Sequence, residues 1–316
     1  MLTDRVKKRL SRISGAHVRF DEPMSRHTSL GIGGPAEARA TPESLKDLES
    51  ILRMASGEGI PWMVIGGGTN LLVSDRGLPG LCISLENCLT RVWEKASDGP
   101  ETVVGAMAGA RLSTAFAFAA KRGLSGMNFA LGIPGSVGGA AMVNAGSSHG
   151  SMEDVLEAAT VLFPDGRKEK MSREAFRAFR EKEGGRFPAG AIVSEVFFRL
   201  GVSEPGRVQK EGRMILSARN KTQPGGKSAG CFFKNPEKGR PAGMLLDMAG
   251  LKGKRIGGAR ISEVHANFIL NVGNASAKDV LDLMNMARET VYEKFNVRLD
   301  PEVKIVGVCP GLERAL

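Results

Sequence analysis

The chain has 316 residues and a formal net charge of +10, with 42% hydrophobic and 25% charged residues, which is typical of a globular protein with a sizeable core. No apolar run approaches the about 20 residues of a membrane span, and the charged first ten residues do not resemble a signal peptide, so we expect a cytoplasmic protein that binds no membrane. Aromatic residues make up 5% and do not alternate with the basic clusters, which argues against nucleic acid and favours a smaller acidic partner such as a nucleotide diphosphate.

The first half of the chain alternates helices, strands and glycine-rich loops. Residues 41–59 have the spacing of an amphipathic helix, with Pro42 at its first position. The apolar run 61–65 predicts a buried strand that ends at three glycines. Further along, the pattern predicts a strand over 81–85, a turn over 96–100 and a helix over 111–122.

The second half is predicted to contain strands before its longest helix. Strands are expected over 158–163 and 192–200, with Ile192, Val196, Phe198 and Leu200 facing inward. The Gly, Ser and Pro residues of 201–206 predict a domain boundary. A helix over 276–295, capped by Ser276, and a strand over 303–306 follow. This order favours an α+β fold over a doubly wound sheet.

Two glycine-rich segments are typical of backbone cradles for phosphate. Around residues 64–80 the chain reads VIGGGTNLLVSDRGLPG, whose glycines free backbone N–H groups to converge on an anion, with Thr69, Asn70 and Ser74 as polar neighbours. Residues 132–146, GIPGSVGGAAMVNAG, are too glycine-rich for an ordinary helix interior and too apolar for a flexible linker. Two such segments favour one extended diphosphate ligand.

More familiar nucleotide and metal motifs fail. Residues 31–36 match GxGxxA, but no apolar strand precedes them and Pro35 stands where the helix would begin. Residues 226–228 resemble the end of a P-loop, but Lys221 replaces its first glycine. The scattered cysteines and histidines show no metal spacing and no CxxC pair, so we expect neither metal nor a disulfide framework: Cys82, Cys88, Cys231, Cys309, His17, His27, His149 and His265.

Five ordered blocks over residues 28–307 resemble one family. They read TSLGIGGPA, VIGGGTNLLVSDRG, GIPGSVGGA with NAG, SAGCFFKNP and LDPEVKIVG, and together they are similar to the UDP-N-acetylenolpyruvoylglucosamine reductase family. The resemblance implies an α+β chain: a two-subdomain FAD-binding fold of the vanillyl-alcohol-oxidase/PCMH type plus a C-terminal α+β substrate domain. The implied domains are 1–87 with a return strand over 300–316, then 88–202, then 203–299.

The same resemblance implies an activity and its cofactors. With FAD and NADPH, the family reduces UDP-N-acetyl-3-O-(1-carboxyvinyl)-glucosamine to UDP-N-acetylmuramate in peptidoglycan precursor synthesis. It also implies a monomer whose partner is a small UDP-sugar. Some members carry a tyrosine on an inserted segment, but the single tyrosine, Tyr292, lies in another block, so the chain resembles the shorter form.

Three catalytic residues are implied. Arg180, with Glu302, would stabilise negative charge beside the substrate carboxylate, and Cys231 would supply the proton. Arg177, one turn before Arg180, is an alternative match. Each residue also has a structural interpretation: a solvated helix arginine, an anchor of the last strand, and a small buried thiol.

The resemblance and the glycine segments together assign the binding residues. For FAD they are Ile65, Gly66, Gly67, Gly68, Thr69, Asn70, Leu71, Ser74, Gly132, Pro134, Gly135, Ser136, Gly138, Gly139, Asn144 and Gly146. For the substrate they are Arg219, Lys221 and Asn235 around the diphosphate and sugar, and His265 or Asn267 near the enolpyruvyl group.

Two alternatives remain open. One is another FAD-dependent oxidoreductase on the same fold that acts on a sugar alcohol or lactone; the SAGCFFKNP and PEVKIVG blocks argue against it, and Cys82 and His149 match no covalent-flavin motif. The other is a non-catalytic UDP-sugar-binding protein, which would be colourless.

Overall fold

The structure, a computed structural model, describes residues 2–13, 16–86, 88–181 and 190–307. The chain forms two compact units. The first comprises Met1–Arg19, Ala38–Gly67 and Gly80–Arg219, and the second comprises Phe20–Glu37, Gly68–Pro79 and Asn220–Leu316. Cys309 and the end of the predicted return strand lie outside the described residues.

The helices of the described chain are short, apart from α7 and α9. They are α1 Asp4–Leu10, α2 Leu45–Gly57, α3 Leu112–Lys121, α4 Val137–Met142, α5 Met152–Val155, α6 Arg173–Glu181, α7 Pro205–Thr222, α8 Ala242–Met248 and α9 Ala277–Phe295. None of these described helices is both long and apolar enough to cross a membrane.

The strands form both parallel and antiparallel pairs. They are β1 Ala16–Pro23, β2 Pro35–Pro42, β3 Trp62–Ile65, β4 Leu71–Val73, β5 Leu78–Ser84, β6 Val92–Asp98, β7 Glu101–Met107, β8 Leu124–Ser125, β9 Gly146–Ser147, β10 Gly150–Ser151, β11 Leu156–Leu162, β12 Lys168–Ser172, β13 Ile192–Val202, β14 Arg255–Ile256, β15 Ala259–Ile261, β16 Ile269–Asn271 and β17 Lys304–Val306.

A four-stranded sheet, ordered β1-β2-β5-β3, carries the first predicted elements. The helix expected over 41–59 forms as α2, but Pro42 is not its first residue, because it ends β2. The helix instead begins after Ser44, whose side chain accepts a hydrogen bond from the Asp47 backbone N–H and so satisfies one free donor of the first turn. The predicted buried strand is β3, which pairs in parallel with β5 and ends at Ile65.

A larger sheet of the first unit has the order β12-β11-β13-β7-β6, with β8 also on β13. The predicted inward set of β13 is buried, as expected, but Phe197 on the other face is only 5% exposed as well, because Trp93 packs edge-on against its ring. The predicted turn over 96–100 forms but is shorter than expected: Asp98 pairs with Glu101, which leaves a two-residue hairpin loop.

The long helix α7 stays with the first unit as far as Arg219, so the chain leaves that unit later than the 201–206 segment predicted. The reason is packing: a Cβ at Gly212 would lie 2.9 Å from Leu131 Cδ1 and 3.1 Å from Phe116 Cζ, and Val208 is buried. The division into domains at 87, 202 and 299 stays a prediction.

The second unit is built on α9 and the three-stranded sheet β14-β15-β16. The helix expected over 276–295 is confirmed, with a capping box between Ser276 and Asp279. Two more N–H groups of its first turn, those of Ala277 and Lys278, donate to the Asp75 carboxylate. The last strand begins one residue later than predicted and pairs in parallel with β4, from Lys304 opposite Leu71 to Val306 opposite Val73.

Candidate functional site

In the first unit the two glycine segments meet at Gly66 and Ser136. Gly66 follows β3 directly, and both it and Gly67 are exposed. A Cβ added at Gly66 would lie 2.6 Å from Ser136 Oγ, a distance that real Cβ atoms do not show, so a side chain here would displace this hydroxyl from its hydrogen bond with the Gly139 N–H. Exposed backbone and a serine hydroxyl are thus brought to one place.

The second glycine segment is more regular than expected, because six of its residues form α4. Ser136 caps this helix, with its Oγ accepting a hydrogen bond of 3.2 Å from the Gly139 backbone N–H. Gly138 is required for packing, since its Cβ would lie 2.6 Å from Ala108 Cβ. The expectation that the glycines exclude a helix is therefore wrong: close packing on Ala108 favours glycine inside this short helix.

These features fit the diphosphate of FAD. The exposed backbone at Gly66 and Gly67 and the Ser136 hydroxyl offer hydrogen-bond donors of the kind that bind phosphate oxygens, with the exposed Gly139 one turn further along. Two further glycines, Gly132 (φ +72°) and Gly135 (φ +118°), adopt backbone angles that disfavour side chains. Arg219 lies beside this segment: its Nη1 donates to Leu131 O at 3.1 Å, and its Cδ would be 3.1 Å from a Cβ on Gly132.

The rest of the first glycine segment belongs to the second unit. A Cβ at Gly68 would lie 1.9 Å from His27 O, so this glycine serves close backbone packing. Asn70, predicted to bind FAD, donates from Nδ2 to Glu302 O at 3.2 Å, and its own carbonyl accepts from the Lys304 backbone N–H at 3.0 Å. Asn70 therefore connects this loop to the start of β17.

The structure brings Cys231 and Glu302 to neighbouring stretches of one unit. Cys231 is exposed, and the carbonyl of the next residue, Phe232, accepts a hydrogen bond of 2.8 Å from the Glu302 backbone N–H. By contrast, burial raises the pKa of the Cys82 thiol to about 12 and that of Cys88 to about 11. Among the described cysteines, Cys231 alone is exposed, as a proton donor to a ligand must be.

The surroundings of Glu302 favour the protonated form of its carboxyl group. Burial raises the pKa of Glu302 above its ordinary value, and the positive charge of Lys234 opposes that shift. Lys234 is held nearby, with its backbone N–H donating to Asp300 O at 2.9 Å. A carboxyl with a raised pKa can donate a hydrogen bond at a higher pH than an ordinary one.

Three predicted substrate residues surround the Cys231 segment. Asn267 is buried; its Oδ1 accepts from the Phe233 backbone N–H at 2.9 Å and its Nδ2 donates to Phe233 O at 2.8 Å. His265 accepts from the Asn267 backbone N–H at Nδ1, and burial lowers its pKa. Asn235 Oδ1 accepts from the first N–H of α8, that of Ala242. In each of these contacts the side chain holds a nearby backbone segment in place.

Arg180 lies in the first unit, at the end of α6, and is only 7% exposed. Its Nη1 donates to Ala141 O at 3.3 Å and its Nη2 donates to Glu153 Oε2 at 3.1 Å. The side chain of Arg177, the alternative match, is 58% exposed. Burying a charged side chain costs free energy, so a buried arginine needs a reason that an exposed one does not. The burial of Arg180 therefore favours it over Arg177 as the match.

Glu153 is a residue that the sequence did not predict. Besides Arg180, it receives a hydrogen bond from Asn144 Nδ2 on Oε2 at 3.3 Å, and its backbone N–H donates to Asn144 Oδ1 at 2.9 Å. Asn144 was predicted to bind FAD. The sequence held only a weak signal for Glu153: it is an acidic residue shortly after the NAG block, which could pair with a distant arginine.

The remaining predicted residues are placed as follows. Ile65 is buried at the end of β3, Leu71 and Thr69 are half-buried, Ser74 is buried with its Oγ accepting from the Arg76 N–H, and Pro134, Gly146 and Lys221 are exposed. Over the part of the chain that the structure describes, no group of three or more His, Cys, Asp or Glu residues could hold a metal ion.

Two family models match the chain. The model described as an FAD binding domain matches residues 36–172, and the model described as the C-terminal domain of UDP-N-acetylenolpyruvoylglucosamine reductase matches residues 221–306. The first range contains both sides of the Gly66–Ser136 contact, and the second contains Cys231 and Glu302.

Curated relatives and a solved structure agree with these models. A UDP-N-acetylenolpyruvoylglucosamine reductase of Desulfosudis oleivorans is 43% identical over 299 residues, covering 92% of this chain and 95% of the relative. One of Pelobacter propionicus is 42% identical, covering 93% and 99%. The crystal structure of the Thermus caldophilus reductase has a TM-score of 0.73 at 35% identity, covering 92% and 99%. The predicted α+β fold with an FAD-binding part and a C-terminal domain is confirmed.

The Gly66–Ser136 contact predicts a specific loss of flavin. Gly66→Ala places a methyl group 2.6 Å from Ser136 Oγ, so we expect the purified protein to retain less FAD, measured by visible flavin absorbance per protein. Gly57→Ala at the end of α2 is the matched control, because a Cβ there has no atom within 4 Å. Equal flavin content in both variants would contradict the assignment.

The raised pKa of Glu302 predicts a pH-dependent gain in stability for Glu302→Gln. The folded state holds this proton more tightly than the unfolded state, so the carboxylate destabilises the fold as pH rises above 4.5. We expect the melting temperature of Glu302→Gln, relative to the parent protein, to increase from pH 4 towards neutral pH. Glu263→Gln, whose side chain is 70% exposed, should show no such trend; a gain independent of pH would contradict the prediction.

Proposed function

The chain belongs to the UDP-N-acetylenolpyruvoylglucosamine reductase family, and on that premise we propose how its residues divide the work of the reaction. The enzyme reduces UDP-N-acetyl-3-O-(1-carboxyvinyl)-glucosamine to UDP-N-acetylmuramate with FAD and NADPH, a step of peptidoglycan precursor synthesis. One observation carries the proposal. The backbone N–H of Glu302 donates to the carbonyl of Phe232, the residue directly after Cys231, so the two predicted catalytic residues lie on neighbouring stretches of chain.

The FAD diphosphate is assigned to Gly66, Gly67, Ser136 and Gly139, because the three glycines are exposed and lack a Cβ atom and the Ser136 hydroxyl can donate to a phosphate oxygen. When bound, FAD supplies hydride chemistry between NADPH and the enolpyruvyl double bond. The protein has to bind the substrate, stabilise the charge that develops on it, and deliver one proton.

Arg180 is proposed to stabilise the developing charge. Addition of hydride to the vinyl terminus leaves carbanion character on the adjacent carbon, and the substrate carboxylate spreads it as an enediolate. A guanidinium group with fixed donors stabilises such a charge more strongly in a water-poor site than in bulk water. The burial of Arg180 and its hydrogen bonds to Ala141 O and Glu153 Oε2 support this role.

Cys231 and Glu302 are proposed to complete the reduction. The Cys231 thiol donates its proton to the carbanion carbon, which forms the new C–H bond, and the thiolate takes a proton back from water. Glu302 is proposed to stabilise the negative charge beside the substrate carboxylate; burial raises its pKa, which favours the form that donates a hydrogen bond.

Substrate contacts are proposed for Arg219, Lys221, Asn235, His265 and Asn267. Arg219 and Lys221 are cations that suit the UDP diphosphate. Asn267 is bound on both amide atoms by Phe233, which favours a role in holding the Cys231 segment. We also propose a monomer that works in the cytoplasm, where nucleotide sugars and NADPH are available, and that binds neither nucleic acid nor membrane.

Separate replacement of the two arginines tests which one is catalytic. Arg180→Ala should lower kcat by about 10²- to 10³-fold, as expected for loss of a group that stabilises an oxyanion. Arg177→Ala should lower kcat far less, because its side chain is 58% exposed and approaches this region through an ion pair of 3.0 Å with Glu153 Oε1. Steady-state NADPH consumption with the enolpyruvyl substrate measures both. Full turnover in Arg180→Ala would remove Arg180 from the mechanism.

Replacement of Cys231 separates the two halves of the reaction. Cys231→Ala should lower substrate reduction by about 10²- to 10⁴-fold, the usual contribution of a general acid, while NADPH still bleaches the flavin at the original rate in stopped-flow experiments. Cys231→Ser should retain part of the activity, because a hydroxyl can also donate a proton. Loss of flavin reduction in Cys231→Ala would contradict a role as proton donor.

A further inference from the structure

The side chain of Arg180 is held by a closed ring of hydrogen bonds. Arg180 donates to Ala141 O and to Glu153 Oε2. Glu153 in turn is bound through its backbone N–H and through Oε2 to the two amide atoms of Asn144. The ring closes through the Asn144 backbone N–H, which donates to Ala141 O at 3.4 Å.

The position of this ring in the chain gives it a functional meaning. Ala141 belongs to α4, the short helix of the second glycine segment, and Asn144 follows it directly in a left-handed conformation with φ +47°. Glu153 is on α5 and Arg180 is on α6. Three helices that are separate in sequence are therefore joined at one guanidinium group, within the first unit.

Because the ring is largely buried, it restricts the position of the Arg180 side chain. Arg180 is 7% exposed and the Glu153 side chain is 22% exposed, so the pair is shielded from most of the water that weakens surface ion pairs. A buried guanidinium group needs acceptors, and Glu153 supplies the charged one. Glu181 also approaches Arg180 Nη2, but at 3.7 Å and with a half-exposed side chain.

We propose that Glu153 is a positioning residue for the reaction: with Asn144, it fixes the Arg180 guanidinium relative to the glycine-rich helix α4. The inference rests on the proposed catalytic role of Arg180. It assigns Asn144 to the same ring, and it requires that the loss of Glu153 disturb the step that Arg180 assists while leaving the flavin's reaction with NADPH intact.

The test compares Glu153→Ala, Glu153→Gln and the control Glu174→Gln in the FAD-loaded enzyme. Glu153→Ala should lower kcat for the enolpyruvyl substrate by about 10- to 100-fold, the expected effect of a small misplacement of a catalytic group, with unchanged FAD content and unchanged flavin reduction by NADPH. Glu153→Gln should recover most of the loss, because its amide oxygen still accepts from Arg180. Glu174→Gln, on the exposed first turn of α6, should behave as the parent enzyme.

Three results would overturn the inference. They are parental kcat in Glu153→Ala, equal slowing of flavin reduction and substrate reduction, and failure of Glu153→Gln to improve on Glu153→Ala. If Glu153→Ala does not retain flavin, Glu153→Asp decides, because it keeps the charge but withdraws the carboxylate by one methylene: slow substrate reduction with normal flavin reduction supports the role, and full turnover rejects it.

Arg180→Ala separates this inference from the proposed function. If Arg180→Ala is slow and Glu153→Ala is not, only the positioning role fails. If Arg180→Ala keeps full turnover, the proposed role of Arg180 fails. With both correct, the double variant Glu153→Ala/Arg180→Ala is no slower than Arg180→Ala, since a positioning residue has nothing left to position.

Discussion

The two glycine segments of the first unit meet in a close approach at Gly66, where an added Cβ would lie 2.6 Å from Ser136 Oγ and displace this helix-capping hydroxyl. Both partners are held by neighbouring elements. Gly66 leaves β3, which is paired in parallel with β5, and the carbonyl of Gly135 accepts from the Leu112 backbone N–H at the start of α3. A ligand that binds exposed N–H groups there meets a surface that is already formed, which lowers the cost of ordering it.

In the second unit, the proposed reacting groups also lie on backbone that neighbouring residues already hold in place. The segment after Cys231 is hydrogen-bonded on one side to Asn267 and on the other to Glu302. Its side chains Phe232 and Phe233 are buried in the core that packs against α9. The backbone beside the proposed proton donor is thus fixed by its neighbours, while Cys231 itself stays exposed. Rigid support beneath an accessible reactive atom is what general acid catalysis requires.

Local signals predicted the local structure. The α9 cap at Ser276 and Asp279 follows from a spacing of three residues, and it formed as expected. The prediction that Pro42 begins a helix was wrong, because proline suits both the first turn of a helix and the end of a strand. The contacts that define the site were beyond such signals: Arg180 meets Glu153 across 27 residues, and Asn70 meets the Glu302 backbone across 232. Only the family resemblance indicated that Cys231 and Glu302 act together.

The most direct test of the account is NADPH consumption by the FAD-loaded protein, followed without oxygen and with UDP-N-acetyl-3-O-(1-carboxyvinyl)-glucosamine added in a known amount. The account predicts that NADPH is consumed in an amount equal to the substrate plus the bound flavin and that consumption then stops, with the flavin left reduced by the excess NADPH. A protein that binds no flavin, or one whose reduced flavin is not reoxidised by this substrate, would contradict it.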